Sequence, residues 1–566
     1  MNIRMKKCIF LIFLICGFIT AALLCLPVFQ NFLLSLGEKI HGKTLDTNKW
    51  TVKMFTFSCE LVLVLCFIIF YNLRLVSYSK KNITGKSKIA IPLFLVLVSF
   101  ITSFQFASFP FISRLPGTDS SVFIYIGQMM HKGFVPYRDM FDHKGLYLYF
   151  IEFLGTTARS YSFIYVIELL NLCFAATFLY KTSFLTCGNS LVSVATAVFV
   201  LCFTGHSVYY GGNLTESYAL SFVAFALYEF LKYLKTEKIT PVEILFVGIA
   251  FTVVLFLRVN MVAPWAFFVL LIIILSVKKR QFSTLGNMIL WFSAGITIAI
   301  VPVALYLIKT GSAKVLWESY ILFNFKYIAH NASFWRKLIV AFSFLIRFGI
   351  VTLLFVVALI KNFRNKIFMA NLSALLFTFY FVVISGRNDA HYGMILLPFF
   401  TMPTGFVFNA LYSFVQKKHN GMHFGEAEKR LFYVSMAVFG FVFLFGLTSL
   451  SRNSKAAGAE NDVIQYLKNN TLESNDVLVL GNSVVYNVAS NRFSKQRFFY
   501  QRPIFQINVD FLAEFKESVF SQKPDYIVYP PKEETFTKDA IIEVYEELTV
   551  DYEKISFNDG VIFKKR

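Results

Sequence analysis

Charge is scarce in this 566-residue chain. Only 15% of its residues are ionisable, with 33 Asp and Glu against 54 Lys and Arg. A soluble globular protein carries roughly 25% charged residues. The shortage, together with 57% hydrophobic residues, puts the chain in the membrane class. Cysteine is absent after Cys202, and the eight that exist (Cys8, Cys16, Cys25, Cys59, Cys66, Cys173, Cys187, Cys202) lie in or beside apolar runs. No CxxC pair and no HExxH helix occurs, which argues against a disulfide framework, a structural zinc site and a zincin. There is no Gly-rich phosphate loop, no internal repeat and no low-complexity tract. The net charge of +21 does not imply a nucleic-acid partner, because most bases fall in short loops between apolar runs, as the positive-inside rule predicts.

Long apolar runs are abundant. A spanning helix needs about 20 mostly apolar residues. The expected architecture is mainly α, a polytopic membrane protein with about 13 transmembrane helices plus a small C-terminal α/β extracytoplasmic domain. The runs are 8–28, 53–72, 89–109, 160–180, 190–207, 217–234, 242–257, 261–277, 287–308, 338–360, 367–385, 391–414 and 431–449. The first follows a basic N-terminus but lacks a small-residue cleavage site, and so reads as a helix rather than a signal peptide. Lys and Arg set the orientation. Arg4/Lys6/Lys7, Lys80/Lys81, Lys278/Lys279/Arg280, Lys361/Arg364/Lys366 and Lys417/Lys418 mark cytosolic loops. The N-terminus is then cytosolic and the C-terminal domain outside. Lys309–Lys337 is an exception, an outer loop rich in bases.

This gives three parts: 1–88 with the first two spans, 89–451 as a membrane core with a large outer loop at 110–159, and 452–566 outside. In the last part, Asp462–Asn469 reads as helix, Asp476–Gly481 and Asp525–Pro530 as strands, Val509–Val519 and Lys538–Leu548 as helices, and Tyr552–Lys565 as a hairpin about Asn558-Asp559-Gly560.

Against this apolar background one stretch stands out. Leu115–Gly155 holds Asp119, His131, Lys132, Arg138, Asp139, Asp142, His143 and Lys144 between two membrane runs. Pro116-Gly117-Thr118-Asp119 predicts a helix start, and a second short helix is expected after Asp142. Three further polar places fall at outer span ends: Gly205 to Glu216, Arg258-Val259-Asn260, and Arg387 to His391-Tyr392. Charged groups near hydrocarbon are costly and mark function by default. Each has a plainer reading: Asp119 as a helix cap, Asp139 and Asp142 as turn formers, Lys144 as a snorkelling interfacial base, Glu216 as an ion-pair partner, Arg258 and Arg387 as head-group anchors, His391 as a satisfied hydrogen-bonding residue.

Convergence on one face favours the functional reading. Arg and Lys suit a phosphate, and a carboxylate suits a base that takes a proton from an attacking hydroxyl. A cationic rim with one acid at an outer membrane surface fits glycosyl transfer from a polyprenyl-phosphate sugar. Nucleotide sugars are cytosolic and excluded by the side.

The same residues carry a resemblance. Asp119, then Gly133-Phe134-Val135-Pro136-Tyr137-Arg138-Asp139, then His143-Lys144-Gly145-Leu146-Tyr147 resemble the first outer loop of the GT-C superfamily of integral-membrane glycosyltransferases. The likeness is to the family-39-like group, with its bacterial protein O-mannosyltransferases and lipid A aminoarabinose transferases. Gly145 and Leu146 stand where that family has prolines, and Asp119-Ser120 where it commonly has Asp-Glu. Arg258, Arg387 with His391-Tyr392, and the Gly481-Asn482, Tyr486 and Asn491-Arg492 positions of the tail are similar too. The resemblance implies Asp119 as catalytic base and Lys144 on the donor phosphate. Arg258 and Arg387 are further phosphate candidates, and Asp139, Asp142, His143, Glu216, Asn260, His391 and Tyr392 are candidates for acceptor binding or support. The expected partners are a polyprenyl-phosphate sugar donor, an envelope glycopolymer or glycolipid acceptor and the bilayer. No cofactor is required, and a divalent metal is left open by the gathered acids. A flippase of lipid-linked saccharides would place charges near the midplane and use broken or repeated helices. A glycopolymer ligase would share much of the outer face.

Overall fold

The computed structural model describes residues 87–110, 115–157, 162–203, 208–330, 333–417, 446, 461–530 and 549–566. The runs expected at 8–28, 53–72 and most of 431–449, the helix expected at 538–548, and His206 lie outside them. Within them the protein is a multi-pass helical membrane protein with a small C-terminal sheet.

Five helices are long and apolar enough to cross a bilayer among the described residues: Phe163–Cys187, Val259–Lys278, Phe282–Thr310, Lys366–Val383 and Ala390–Phe414. The expected count of about thirteen is not confirmed by these, and three of the expected runs lie outside the described residues. Four more expected runs are shorter apolar helices or carry more polar groups: Ser87–Thr102, Ser190–Phe203, Thr215–Thr236 and Pro241–Leu255. Lipid-facing helices cannot use the hydrophobic effect to associate, so small residues let their backbones meet. Gly248 and Gly295 do this for Pro241–Leu255 and Phe282–Thr310. A Cβ at Gly295 would lie 2.1 Å from the Leu245 carbonyl oxygen, and one at Gly248 2.3 Å from that of Phe292.

The run expected at 338–360 is broken by a bend. Helices Phe334–Arg347 and Gly349–Asn362 meet at 84°. The break is at Phe348, whose ring is buried, stacked on Phe400 at 5.7 Å, and set where a Cβ on Gly393 would lie 2.5 Å away. The first helix buries Val340 and Phe344 while Trp335, Ile339, Phe342 and Ile346 stay exposed. The exposed residues form one apolar stripe along this helix. The second has 14 residues, about 21 Å of rise, short of the roughly 30 Å hydrocarbon core.

The loop expected outside folds as Thr118–His131 and Leu146–Gly155 packed together. Gly127 permits this, since a Cβ there would sit 2.7 Å from the Glu152 carbonyl. The His143-Lys144-Gly145 corner is pinned to the end of Pro241–Leu255: Gly145 N donates to Leu257 O at 3.1 Å and Tyr147 N to Phe256 O at 3.0 Å. A Cβ on Gly145 would lie 2.0 Å from Phe256 O. Arg258 follows directly, so backbone pairing delivers Lys144 beside Arg258.

The C-terminal part has sheet order β1-β2-β4-β3, with β1 (Val477–Val479) parallel to β2 (Tyr526–Tyr529) and β3 (Tyr552–Phe557) and β4 (Gly560–Lys565) an antiparallel hairpin. It sits directly on the outer loop. Tyr125 stacks on Phe499 at 4.1 Å and 5°, its hydroxyl donates to Ser494 O and accepts from Ser494 N, and Phe141 N donates to Arg497 O at 2.8 Å.

Candidate active site

Asp119 lies in the first turn of Thr118–His131. The N-cap is Gly117, with no side-chain capping bond, so the carboxylate is not consumed as a cap. Its side chain keeps 46% of its surface accessible, and among the described residues its ionic neighbour is His391, Nε2 to Oδ2 3.8 Å. Protein crowds the rest. Burial raises its pKa, against the pull of His391 and Lys144. The resulting group is a carboxylate of increased basicity that remains reachable.

The other predicted acids are committed. Asp142 is buried, and accepts from His143 N at 2.7 Å, Tyr149 Oη at 2.7 Å and Tyr500 Oη at 2.6 Å. Burial opposes its charge, but these donors with Lys144 and His143 hold its pKa well below the ordinary value. Glu216, buried in the first turn of Thr215–Thr236, takes a charged hydrogen bond from Arg258 Nη1 and another from Thr215 Oγ1 at 2.8 Å. Asp139 receives Arg138 through Nε at 2.8 Å and Nη2 at 2.9 Å, and caps Val135 N at 2.8 Å. It shapes its own turn and does not join the cluster.

Lys144 Nζ donates to His143 Nε2 at 2.8 Å. Burial and then Arg258 lower the Lys144 pKa, while Asp142, Asp119 and Glu216 raise it, which places Lys144 within electrostatic reach of all four. Burial and Lys144 push the His143 pKa down to about 4, so His143 is neutral at physiological pH. Its ring stacks on Tyr327 at 5.6 Å, and its carbonyl accepts Asn324 Nδ2 at 2.8 Å. Asn324 belongs to a helix that follows a π-helical turn at Trp317–Leu322, and such turns are frequent at functional sites.

Arg258 packs its guanidinium over the Tyr392 ring at 4.0 Å with Glu216 at one end. Burial works against its charge, but Tyr392 and Glu216 outweigh it and hold the pKa above the usual value. Arg387 lies over the Tyr327 ring at 5.3 Å, and its buried Nε has no hydrogen-bond partner. Its turn is tied to the helix Phe334–Arg347 by Arg336 Nε donating to Gly386 O at 2.9 Å.

Asp119, Lys144, Arg258, Glu216, His391, Tyr392, Asp142 and His143 thus form one cluster, with Arg387 joined to it through Tyr327. Asn260 does not join it: its Nδ2 ties to Phe381 O at 3.2 Å, bracing two helices. Four residues that sequence reasoning missed belong here: Tyr149, Tyr210, Tyr327 and Tyr500. Tyr210 stacks on His391 at 5.4 Å. Tyr149, Tyr210 and Tyr327 lie in stretches the sequence marks, 115–155, 205–216 and 309–337, but Tyr500 does not. Among the described residues no group of three or more His, Cys, Asp or Glu could hold a metal ion. Cys173, Cys187 and Cys202 are unpaired thiols.

Comparison with known proteins now bears on the geometry. The family model described as "Putative competence-induced protein Ccs4 N-terminal domain" matches residues 79–455. No curated protein matches the sequence. The crystal structure of ArnT from Cupriavidus metallidurans bound to undecaprenyl phosphate superposes with TM-score 0.57 at 10% identity, covering 85% of this chain and 98% of that one. The apo form of the same protein gives 0.49 at 10% identity, with 84% and 98% coverage. The arabinosyltransferase EmbB from Mycobacterium smegmatis gives 0.37 at 10% identity, with 72% and 43%. The first superposition shows that this chain shares the fold of ArnT.

Proposed function

This chain belongs to the Ccs4 N-terminal domain family over residues 79–455, and on that premise we propose that it is a glycosyltransferase. It transfers a sugar from a polyprenyl-phosphate donor to an extracytoplasmic acceptor, a cell-envelope glycopolymer. The acceptor hydroxyl gives its proton to Asp119 as its oxygen bonds to the sugar's anomeric carbon. The bond from that carbon to the phosphate oxygen breaks, and the electron pair leaves on the polyprenyl phosphate. Lys144, Arg258 and Arg387 hold that phosphate and stabilise its growing charge. Asp142 and His143 set Lys144; Glu216 and Tyr392 set Arg258. That ArnT was crystallised with undecaprenyl phosphate supports a lipid phosphate as the ligand of these cations.

One observation carries the reading. Among the described residues, Asp119 alone of the four predicted site acids combines an accessible carboxylate with no hydrogen-bonded cation, and Lys144 acts on its charge. A base must be free to accept a proton, and a phosphate clamp must be positive. The test is mass spectrometry of envelope polymers from cells lacking the gene, complemented with wild type or Asp119→Asn. The expected result is a lost sugar restored by wild type alone. Equal restoration by Asp119→Asn would refute it.

A further inference from the structure

Beside Asp119 the chain makes a strained turn. Tyr210, Gly211, Gly212 and Asn213 have φ of 49, 87, 78 and 53° in succession. Left-handed backbone is strained for a residue with a Cβ, and strain of this kind persists only where surroundings enforce it. Ala107 N donates to Gly211 O at 2.7 Å and Gly212 N to Tyr209 O at 2.8 Å. Asn213 N donates to the buried Glu168 carboxylate, whose other oxygen takes Ser108 Oγ. A Cβ on Gly212 would lie 2.3 Å from Glu168 Oε1. Glycine would suit the backbone at position 213 with less strain, so it is the side chain of Asn213 that calls for a reason.

The Asn213 amide is buried and bonded at both ends. Its Oδ1 accepts Tyr218 Oη at 2.6 Å, and its Nδ2 donates to Ser120 Oγ at 2.9 Å. Ser120 directly follows Asp119 in the first turn of Thr118–His131, a turn without a side-chain cap. Inside that turn Ser121 N and Oγ both donate to Gly117 O, at 2.8 and 2.7 Å. Those bonds are local and do not set where the turn stands against other helices. The Asn213 amide does, because Tyr218 lies on Thr215–Thr236. The same helix carries Glu216, which takes Arg258 Nη1. At its other end the turn meets the acid again: Tyr210 packs at 5.4 Å on His391, which is 3.8 Å from Asp119. One short stretch thus links the base to the phosphate clamp. That spacing matters, since a misplacement of about 1 Å can cost roughly 100-fold in rate.

We propose that Asn213 is a positioning residue: through Ser120 it holds Asp119 in register with the Glu216–Arg258 pair. This deepens the glycosyltransferase reading and rests on it. Full-length protein in proteoliposomes is given undecaprenyl-phosphate hexose, aminosugar or pentose together with an envelope polysaccharide extract. The rate constant kcat per folded molecule and the donor KM are measured, with undecaprenyl phosphate affinity and melting temperature in parallel. The variants are Asn213→Gly, which keeps the left-handed backbone and removes the amide, and Ser120→Ala, which removes the partner. Each is made alone and combined with Asp119→Asn.

Each single variant is expected to lower kcat about tenfold or more, with undecaprenyl phosphate affinity at the wild-type value because the cations are untouched. Combined with Asp119→Asn, neither lowers kcat further, since no acid is left to position. A merely structural contact would lower the melting temperature and leave kcat per folded molecule unchanged. Should Asn213→Gly fail to fold, Ser120→Ala decides alone. Wild-type kcat in Ser120→Ala, losses that add to that of Asp119→Asn, or a matching loss of undecaprenyl phosphate binding overturns the proposal and leaves the transferase reading intact. A wild type that transfers none of the three sugars would remove the transferase reading, and the proposal with it.

Discussion

Tyr500→Phe removes one hydroxyl from the C-terminal domain, and the structure gives its consequences. That hydroxyl donates to Asp142 Oδ1 at 2.6 Å, with Tyr149 on the other oxygen at 2.7 Å. Asp142 is buried, so water does not replace the lost donor. A hydrogen bond to a buried charge contributes about 1.5–3 kcal/mol, so the variant should lose about 2 kcal/mol of stability where the C-terminal domain meets the outer loop. The Asp142 pKa is depressed, and its contribution to stability is present above the ordinary 3.8 and lost as pH falls through the folded value. Removing Tyr500's hydroxyl raises that folded value, so acid unfolding of Tyr500→Phe should begin at higher pH than in wild type. Lys144 leans on the same carboxylate, so affinity for undecaprenyl phosphate should fall as well. The assay is thermal and acid unfolding of the full chain in detergent, paired with a double-mutant cycle to Asp142→Asn. Coupling of about 1 kcal/mol or more is expected. Additive effects, or wild-type acid stability in Tyr500→Phe, would refute the claim that the domain clamps Asp142.

Gly145→Ala should be severe. Its Cβ would meet the Phe256 carbonyl at 2.0 Å, and backbone cannot yield as a side chain can, so a loss of about 3 kcal/mol or more is expected, read as folded yield and melting temperature. Arg258→Lys keeps the charge but loses the Nη1 bond to Glu216 and the face contact with Tyr392. Donor KM should rise about tenfold, and an unchanged KM would count against a phosphate role. Because burial raises the Asp119 pKa, the base form is lost as pH falls through a value above 3.8. The acid limb of kcat/KM should lie above the ordinary carboxylate range, and a limb at or below 3.8 would contradict the assignment.

Much of the site is legible in the sequence because the bilayer makes ionisable residues expensive. Asp119, Lys144, Glu216, Arg258 and His391 stand out against apolar runs, and the ends of those runs bring them together. What stays hidden depends on partners far along the chain. Tyr500 reaches Asp142 across 358 positions, and nothing local marks that tyrosine. Asp139 and Asp142 look alike in sequence, yet Arg138 takes the first and buried tyrosines the second. The bend at Phe348 is invisible in an apolar run, since Gly393, which makes room for the ring, lies elsewhere. The strained turn at Tyr210 shows only its two glycines. Its cause, Glu168, sits in another helix.

The most direct test is single-turnover transfer in proteoliposomes holding the full chain and an undecaprenyl-phosphate sugar, comparing wild type with Asp119→Asn while binding of undecaprenyl phosphate is measured in parallel. The account predicts a transfer rate reduced about 100-fold or more with lipid-phosphate binding preserved. Transfer at the wild-type rate by Asp119→Asn would contradict it.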